Sequence, residues 1–169
     1  MPRALKPGDK IRSYRIVESV TSGMFACTYR GTSSAGQDVF VKQFKSPTPE
    51  IPWYAEFVAH QRDLHRHISD SPTRNFAIVL IEQFEELQSP TSQVKNYWQI
   101  TEFVEQGRDL AALLRQDNVR WDQRTVWAKV IMGSIAQFHL AGIVHTDLKP
   151  DNLFLIEDAT IKAGYRLKI

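Results

Sequence analysis

The sequence predicts an α+β fold in two parts, and two patterns carry that expectation. Up to about residue 104, apolar and polar residues alternate with the period of two that marks half-buried strands, interrupted by one helical stretch; beyond it the spacing turns mostly helical. With 43% of its 169 residues hydrophobic and 24% charged, the chain has the balance of a folded globular protein rather than a disordered one.

Residues 11–45 contain the strand-like runs IRSYRIVESV, MFACTYRG and DVFVKQF, punctuated by the turn-forming TSG and SSAGQ, and read as three antiparallel strands. SPTPEIP, with three prolines, predicts a loop. In WYAEFVAHQRDLHRHI the apolar residues Trp53, Phe57, Leu64 and Ile68 fall at helical spacing. NFAIVLIEQFEEL and NYWQITEFVEQ, on either side of the polar QSPTSQ, complete five strands and one helix. From GRDLAALLRQ the pattern is helical; in RTVWAKVIMGSIAQFHLAG, Trp127, Ile131, Ile135 and Phe138 share a face and Gly142 supplies the stop. NLFLIE and YRLKI predict short strands flanking DATIKAG. The expected division is a small part over residues 1–104 and a second part over residues 105–169.

Charge and composition exclude several function classes. A net charge of +2 is no electrostatic footprint for nucleic acid. The apolar stretches are interrupted well before the ~18 residues a membrane helix needs, and the basic N-terminus lacks the apolar core of a signal sequence, so the expectation is a soluble, cytoplasmic protein without a membrane segment. The single cysteine, Cys27, forms no intramolecular disulfide, and no Cys/His group has zinc-ligand spacing.

The strongest signal is GIVHTDLKPDNLFLI at residues 142–156, which sets Asp147, Lys149 and Asn152 close together after an amphipathic helix. Taken singly, Pro150 is a helix breaker and Asp151-Asn152 a turn, but neither accounts for the whole run. The run resembles the protein-kinase catalytic loop, His-Arg-Asp-Leu-Lys-Pro-x-Asn, and Lys149-Pro150 resembles its Ser/Thr-specific version. The opening LKPGDKIRSYRIV is similar to the lead-in of bacterial Hanks-type kinases. What the resemblance implies is a protein-kinase-like two-lobe fold that uses ATP and Mg2+ to phosphorylate Ser or Thr hydroxyls of protein substrates. Asp147 would then accept the hydroxyl proton, Lys149 would meet the γ-phosphate and Asn152 would be a magnesium ligand.

The same resemblance extends over most of the chain. VTSGMFACTYRG stands in the place of the glycine-rich hairpin but keeps only the middle glycine, Gly23, with Thr21 and Ala26 at the outer glycine positions; Val20, Gly23, Ala26 and Thr28 are its implied nucleotide contacts. DVFVK resembles the Val-Ala-Ile-Lys strand, which assigns Lys42 to the α and β phosphates. Family spacing puts Gln61 where a helix Glu should hold that lysine, with Glu56 and Asp63 as acidic alternatives. YWQITEFVEQGRDL resembles the hinge: Thr101 is a small gatekeeper, backbone around Glu102 to Val104 meets adenine, and Asp109 contacts ribose or lies on the surface.

Departures from the family weigh on these expectations. Phe40 replaces the alanine that roofs adenine, and either fills part of the pocket, stacks on the base or packs as a core aromatic. Thr146 replaces the loop arginine that pairs with a phosphorylated activation loop. Cys27 reads as a spectator thiol, the basic residues of HQRDLHRH as a solvated face, and His139 and His145 as packing and loop-bracing residues. The family's Asp-Phe-Gly would follow RLKI, and Ile169 is the last residue, so the chain reads as truncated before that motif. On that reading Trp127, Ile131, Ile135 and Phe138 are left uncovered and the chain self-associates. Two rival readings are a pseudokinase scaffold, favoured by Phe40 and Gln61, and a small-molecule phosphotransferase, against which Lys149-Pro150 argues.

Overall fold

Along Asp38–Phe44, Val39, Val41 and Gln43 are buried on one face while Phe40, Lys42 and Phe44 take the other, the alternation that the sequence pattern requires of a strand. In the computed structural model, which describes residues 3–87, 95–104 and 109–169, this strand (β4) is central to an antiparallel sheet. The others are β1 (Lys10–Ile11), β2 (Tyr14–Ser22), β3 (Ala26–Thr32), β5 (Leu80–Leu87) and β6 (Lys95–Glu102), in the order β1-β2-β3-β4-β6-β5. The sheet therefore has six strands where five are expected. IRSYRIVESV, read as one strand, is broken by a turn in which Arg12 has a φ of 50°, which splits off the two-residue β1. QSPTSQ and residues 105–108, part of the run read as a hinge, lie outside the described residues.

The two edges of the sheet are tied to each other. Arg12 pairs with Glu82 of β5 and lies 3.7 Å over the ring of Phe84, and the Tyr14 hydroxyl donates to Glu82 at 3.1 Å. Inside this curl lies a core of Ile16, Tyr29, Val39, Val41, Trp98 and Ile100, each such side chain contributing roughly 1.5–3 kcal/mol by burial. The opposite face carries α1 (Tyr54–Ser69), whose Tyr54, Phe57 and Val58 pack on Phe44 and Tyr97. Residues 3–65 with 79–103 make up this first unit.

The second unit holds Val104 onward together with Arg66–Ile78. Hydrogen bonds explain why the latter segment belongs there. His67 donates to the Ala141 carbonyl at 2.8 Å, Ile78 and Ile169 exchange backbone bonds with Ile169 and Phe76, both 2.8 Å, and the Lys168 ammonium donates to the Ala77 carbonyl. Its helices are α2 (Leu110–Leu114) and α3 (Trp121–Leu140), and a hairpin is formed by β7 (Phe154–Glu157) and β8 (Tyr165–Lys168). The apolar face of α3 is not left uncovered as expected. Trp127 and Phe138 are buried and Ile131 and Ile135 half-buried; Trp127 packs with Leu153, Leu155 and Leu167 around the hairpin, and Ile131 against that cluster. The large apolar side chains that α3 does expose are Trp121, Met132 and Leu140. Among the described residues no helix is long and apolar enough to cross a membrane.

Candidate active site

The end of α3 aims the chain into the catalytic-loop run. Gly142, at φ 74°, takes the left-handed conformation that terminates the helix, its N–H donating to the His139 carbonyl at 2.9 Å and that of Ile143 to Phe138 at 2.8 Å. Ile143 and Leu153 are buried, so the run between them is anchored at both ends while Asp147 and Lys149 stay in solvent. Thr146 is held at φ 62°, a conformation that costs a β-branched residue strain. The Asp147 N–H donates to the His145 carbonyl at 2.9 Å and to its imidazole Nδ1 at 3.3 Å. His145 thus braces the loop, while His139 is exposed.

Within the loop the three predicted residues meet. Lys149 Nζ donates to both Asp147 carboxylate oxygens, at 3.0 and 3.3 Å, and Asn152 Nδ2 donates to the Asp147 carbonyl and to Oδ2, both at 2.9 Å. The Lys149 hydrogen bond, and after it that of Asn152, hold the Asp147 carboxyl below its ordinary range, so it is ionised and oriented at neutral pH. Burial lowers the neighbouring His145. A fixed, exposed carboxylate beside a cation can accept a proton from a hydroxyl while the cation meets an anionic group.

In the first unit, strand register places Thr28, Lys42 and Gln99 side by side on the α1 face of the sheet. Lys42 is exposed, its ammonium 4.9 Å from the centroid of Phe44. Of the three residues expected to support it, Gln61 turns inward and accepts from Gln99 Nε2 at 3.1 Å, while Glu56 and Asp63 are exposed. His65 also turns inward. That corrects the solvated reading of HQRDLHRH at this one position, because His65 follows Gln61 by one helical turn and so shares its buried face. Its Nε2 lies 3.2 Å from Gln99 Nε2 and must accept, and burial first, then the charge of Lys42, keeps the ring neutral by lowering its pKa.

The remaining predicted contacts are spread along the same unit. Val20 is half-buried at a bulge between Ser19 and Thr21, and Ala26 and Thr28 are half-buried on β3. Gly23 spends its N–H on the Ala26 carbonyl at 2.9 Å, closing the hairpin, and Lys45 donates to Ser22 Oγ and the Gly23 carbonyl, both at 2.9 Å. Burial alone would raise the Cys27 thiol, but hydrogen bonds from Ser22, Tyr29 and Lys45 hold it below the ordinary thiol range. Phe40 pairs in register with Thr101 and packs its ring on Phe103, 4.8 Å between centroids, with the Arg30 guanidinium 5.0 Å from Phe103. The Glu102 N–H donates to the Val79 carbonyl at 2.9 Å. In the second unit Val104 is buried, and Asp109 Oδ1 caps α2 by accepting from Ala112 N at 2.8 Å.

A family model for the protein kinase domain matches residues 14–164. The chain belongs to the protein kinase domain family. Relatives of this kinase domain include cyclin-dependent kinase F-1 of Oryza sativa subsp. japonica, 26% identical over 92% of this chain and 30% of that protein. A probable dual specificity protein kinase YAK1 homolog of Encephalitozoon cuniculi is 26% identical over 91% of this chain and 36% of that protein. Maternal embryonic leucine zipper kinase of Danio rerio is 23% identical over 91% and 21%. The chain thus spans little more than a third, at most, of the length of these relatives.

Sequence reasoning missed Gln99, His65, Lys45 and Phe103 in this kinase domain. Gln99 carried a usable signal, a polar residue in the apolar run YWQI at the position that register sets beside Lys42. Asn152 commits its Nδ2 to Asp147, which leaves Oδ1, an oxygen of the type that magnesium takes, for a ligand.

Proposed function

We propose that the protein carrying this kinase domain transfers the γ-phosphate of ATP to Ser or Thr hydroxyls of protein substrates, an activity that the 169-residue chain does not sustain alone. The observation that carries the reading is the Asp147–Lys149–Asn152 network. In the second unit, Asp147 takes the acceptor proton on a carboxylate held ionised by Lys149, Lys149 meets the charge of the transferred group, and Asn152 offers an amide oxygen to Mg2+. In the first unit, Lys42 binds phosphate, with Val20, Gly23, Ala26 and Thr28 along the hairpin, and Glu102 meets the base; in the second, Val104 meets the base and Asp109 the ribose. ATP brings the phosphoryl group and Mg2+ neutralises its oxygens when bound. Lys149-Pro150 favours Ser/Thr over Tyr acceptors, LKPGDKIRSYRIV favours the bacterial Hanks-type branch, and a cytoplasmic setting fits the use of ATP.

The test is transfer of labelled γ-phosphate to a generic protein substrate with Mg2+, followed by identification of the phosphorylated amino acid. Label on Ser or Thr supports the reading; label on Tyr or on a small alcohol, or none above an Asp147→Asn control, overturns it. A second reading, a nucleotide-binding scaffold, is favoured by Gln61, an amide bonded to Gln99 at the helix position where family spacing expects a Glu. Mg2+-independent nucleotide binding without transfer would select it.

A further inference from the structure

The tip of the hairpin between β2 and β3, from Ser22 to Ala26, is held in a way that its own residues do not explain. Met24 and Phe25 are 83% and 65% exposed, so apolar burial does not fix it. Gly23 lies outside the left-handed region, and a Cβ in its place would meet only the Ala26 carbonyl, at 3.6 Å, so the shape depends on neither the freedom nor the small size of the glycine. Its N–H closes the turn on that same carbonyl at 2.9 Å.

The hold comes from Lys45, the first residue after β4. Its backbone N–H donates to the Phe25 carbonyl at 2.7 Å, and that of Ser46 to the same oxygen at 3.3 Å, on the arm that leads into β3. Its ammonium donates to Ser22 Oγ and to the Gly23 carbonyl, both at 2.9 Å, on the arm that leaves β2. One residue thus bridges both arms. Ser22 is itself a fixed post, because its hydroxyl lies 3.4 Å from Sγ of the buried Cys27, its partner in the strand register. Hydrogen bonds from an ammonium are roughly twice as strong as neutral ones, so the two made by Lys45 Nζ are those whose loss the tip should feel most. Lys42 stands on the same strand, three residues before the pin.

We infer that Lys45 is a positioning residue for the nucleotide phosphates: it pins the hairpin tip to the strand that carries Lys42, so that the tip meets the phosphates already ordered. The inference rests on the proposed phosphate role of Lys42 and the hairpin. A loop ordered beforehand spares the entropy of ordering it on binding, so the pin acts on affinity and not on the transfer step.

Two measurements test it. In the 169-residue chain without nucleotide, hydrogen exchange of the Gly23 amide should quicken about tenfold in Lys45→Met, which keeps an unbranched stem and loses the ammonium. Unchanged exchange at Val41, in the middle of the sheet, checks the fold. In the protein carrying the domain, the same variant should raise the KM for ATP about threefold to tenfold, with kcat within about twofold. Ser22→Ala removes one of the two acceptors and should do the same more weakly, and the double variant should be no worse than Lys45→Met alone. An unchanged Gly23 exchange rate, an unchanged KM, a fall confined to kcat, or additive effects in the double variant would each overturn the pin. Failure of the kinase reading looks different: the parent protein itself would turn over no ATP, which removes the role of the pin as well, whereas a parent that turns over ATP with Lys45→Met unaffected sinks the pin alone.

Discussion

The catalytic loop and the polar cluster beneath Lys42 solve a similar problem with different chemistry. In the loop, Asp147 is met by the amide of Asn152, five residues on, and by a full cation, Lys149. In the cluster, Gln61 and Gln99 come from a helix and a strand 38 residues apart, and the third member is a neutral imidazole. Amides and a neutral ring can orient groups by hydrogen bonds but cannot neutralise an ammonium. The loop therefore sets a carboxylate against a cation, while the Gln61–Gln99–His65 cluster is built of uncharged groups. The loop should accordingly dominate the chemical step, and the cluster should tune how the nucleotide is held.

The sharpest way to break that comparison is Asp147→Asn. Losing the proton acceptor should cut transfer by ~10²- to 10⁴-fold with nucleotide affinity nearly unchanged, measured as initial rates and as equilibrium nucleotide binding. A rate within tenfold of the parent would remove Asp147 from its role. Lys42→Ala should instead depress binding and transfer together.

Phe40 tests the first unit next. Its ring packs on Phe103, so Phe40→Ala should cost about 1–3 kcal/mol, less than a fully buried Phe because the side chain is half-buried. If the ring also occupies space meant for a base, nucleotide affinity should rise despite that loss. Weaker binding by the still-folded variant would mean that the ring stacks on the base or merely packs the unit against Phe103.

A smaller effect belongs to the joint that aims the loop. Gly142→Ala places a side chain at φ 74° and should lower stability by about 1 kcal/mol in a denaturant titration, with a matching fall in activity only if the loop shifts. This joint and the loop were both legible in the sequence, since helix periodicity, a stop glycine and the Asp-x-Lys-x-x-Asn run are local. The strands and α1 were legible for the same reason. What the sequence left open were relations set by register and packing. That Gln61 meets Gln99 is decided by which helical face packs on Tyr97, and the cover over Trp127 by a hairpin whose own runs are only four residues each. The split of IRSYRIVESV turns on one positive φ at Arg12, a residue type that gives no warning of it.

The smallest expected effect is a pH dependence arising from His65. Burial, reinforced by Lys42, lowers its pKa in the folded state, so the unfolded chain takes up a proton first as pH falls. Stability from this residue is therefore intact above the unfolded histidine value of about 6.5 and is lost as pH falls below it, until the folded value is reached. His145 is lowered in the same direction, so the parent should lose stability from both. Asp147 and Asp158, also lowered, act below the carboxylate range and leave this window alone. Thermal midpoints at about pH 7.5 and about pH 5.5 should therefore differ less in His65→Gln than in the parent, with a residual slope from His145. Gln61→Glu should shrink the slope as well, because a carboxylate one helical turn from His65 favours its charged form and raises the folded pKa toward the unfolded value. Superimposable slopes in all three proteins would mean that His65 is not held neutral, and the contrast between a charged loop and an uncharged cluster would fail at this residue.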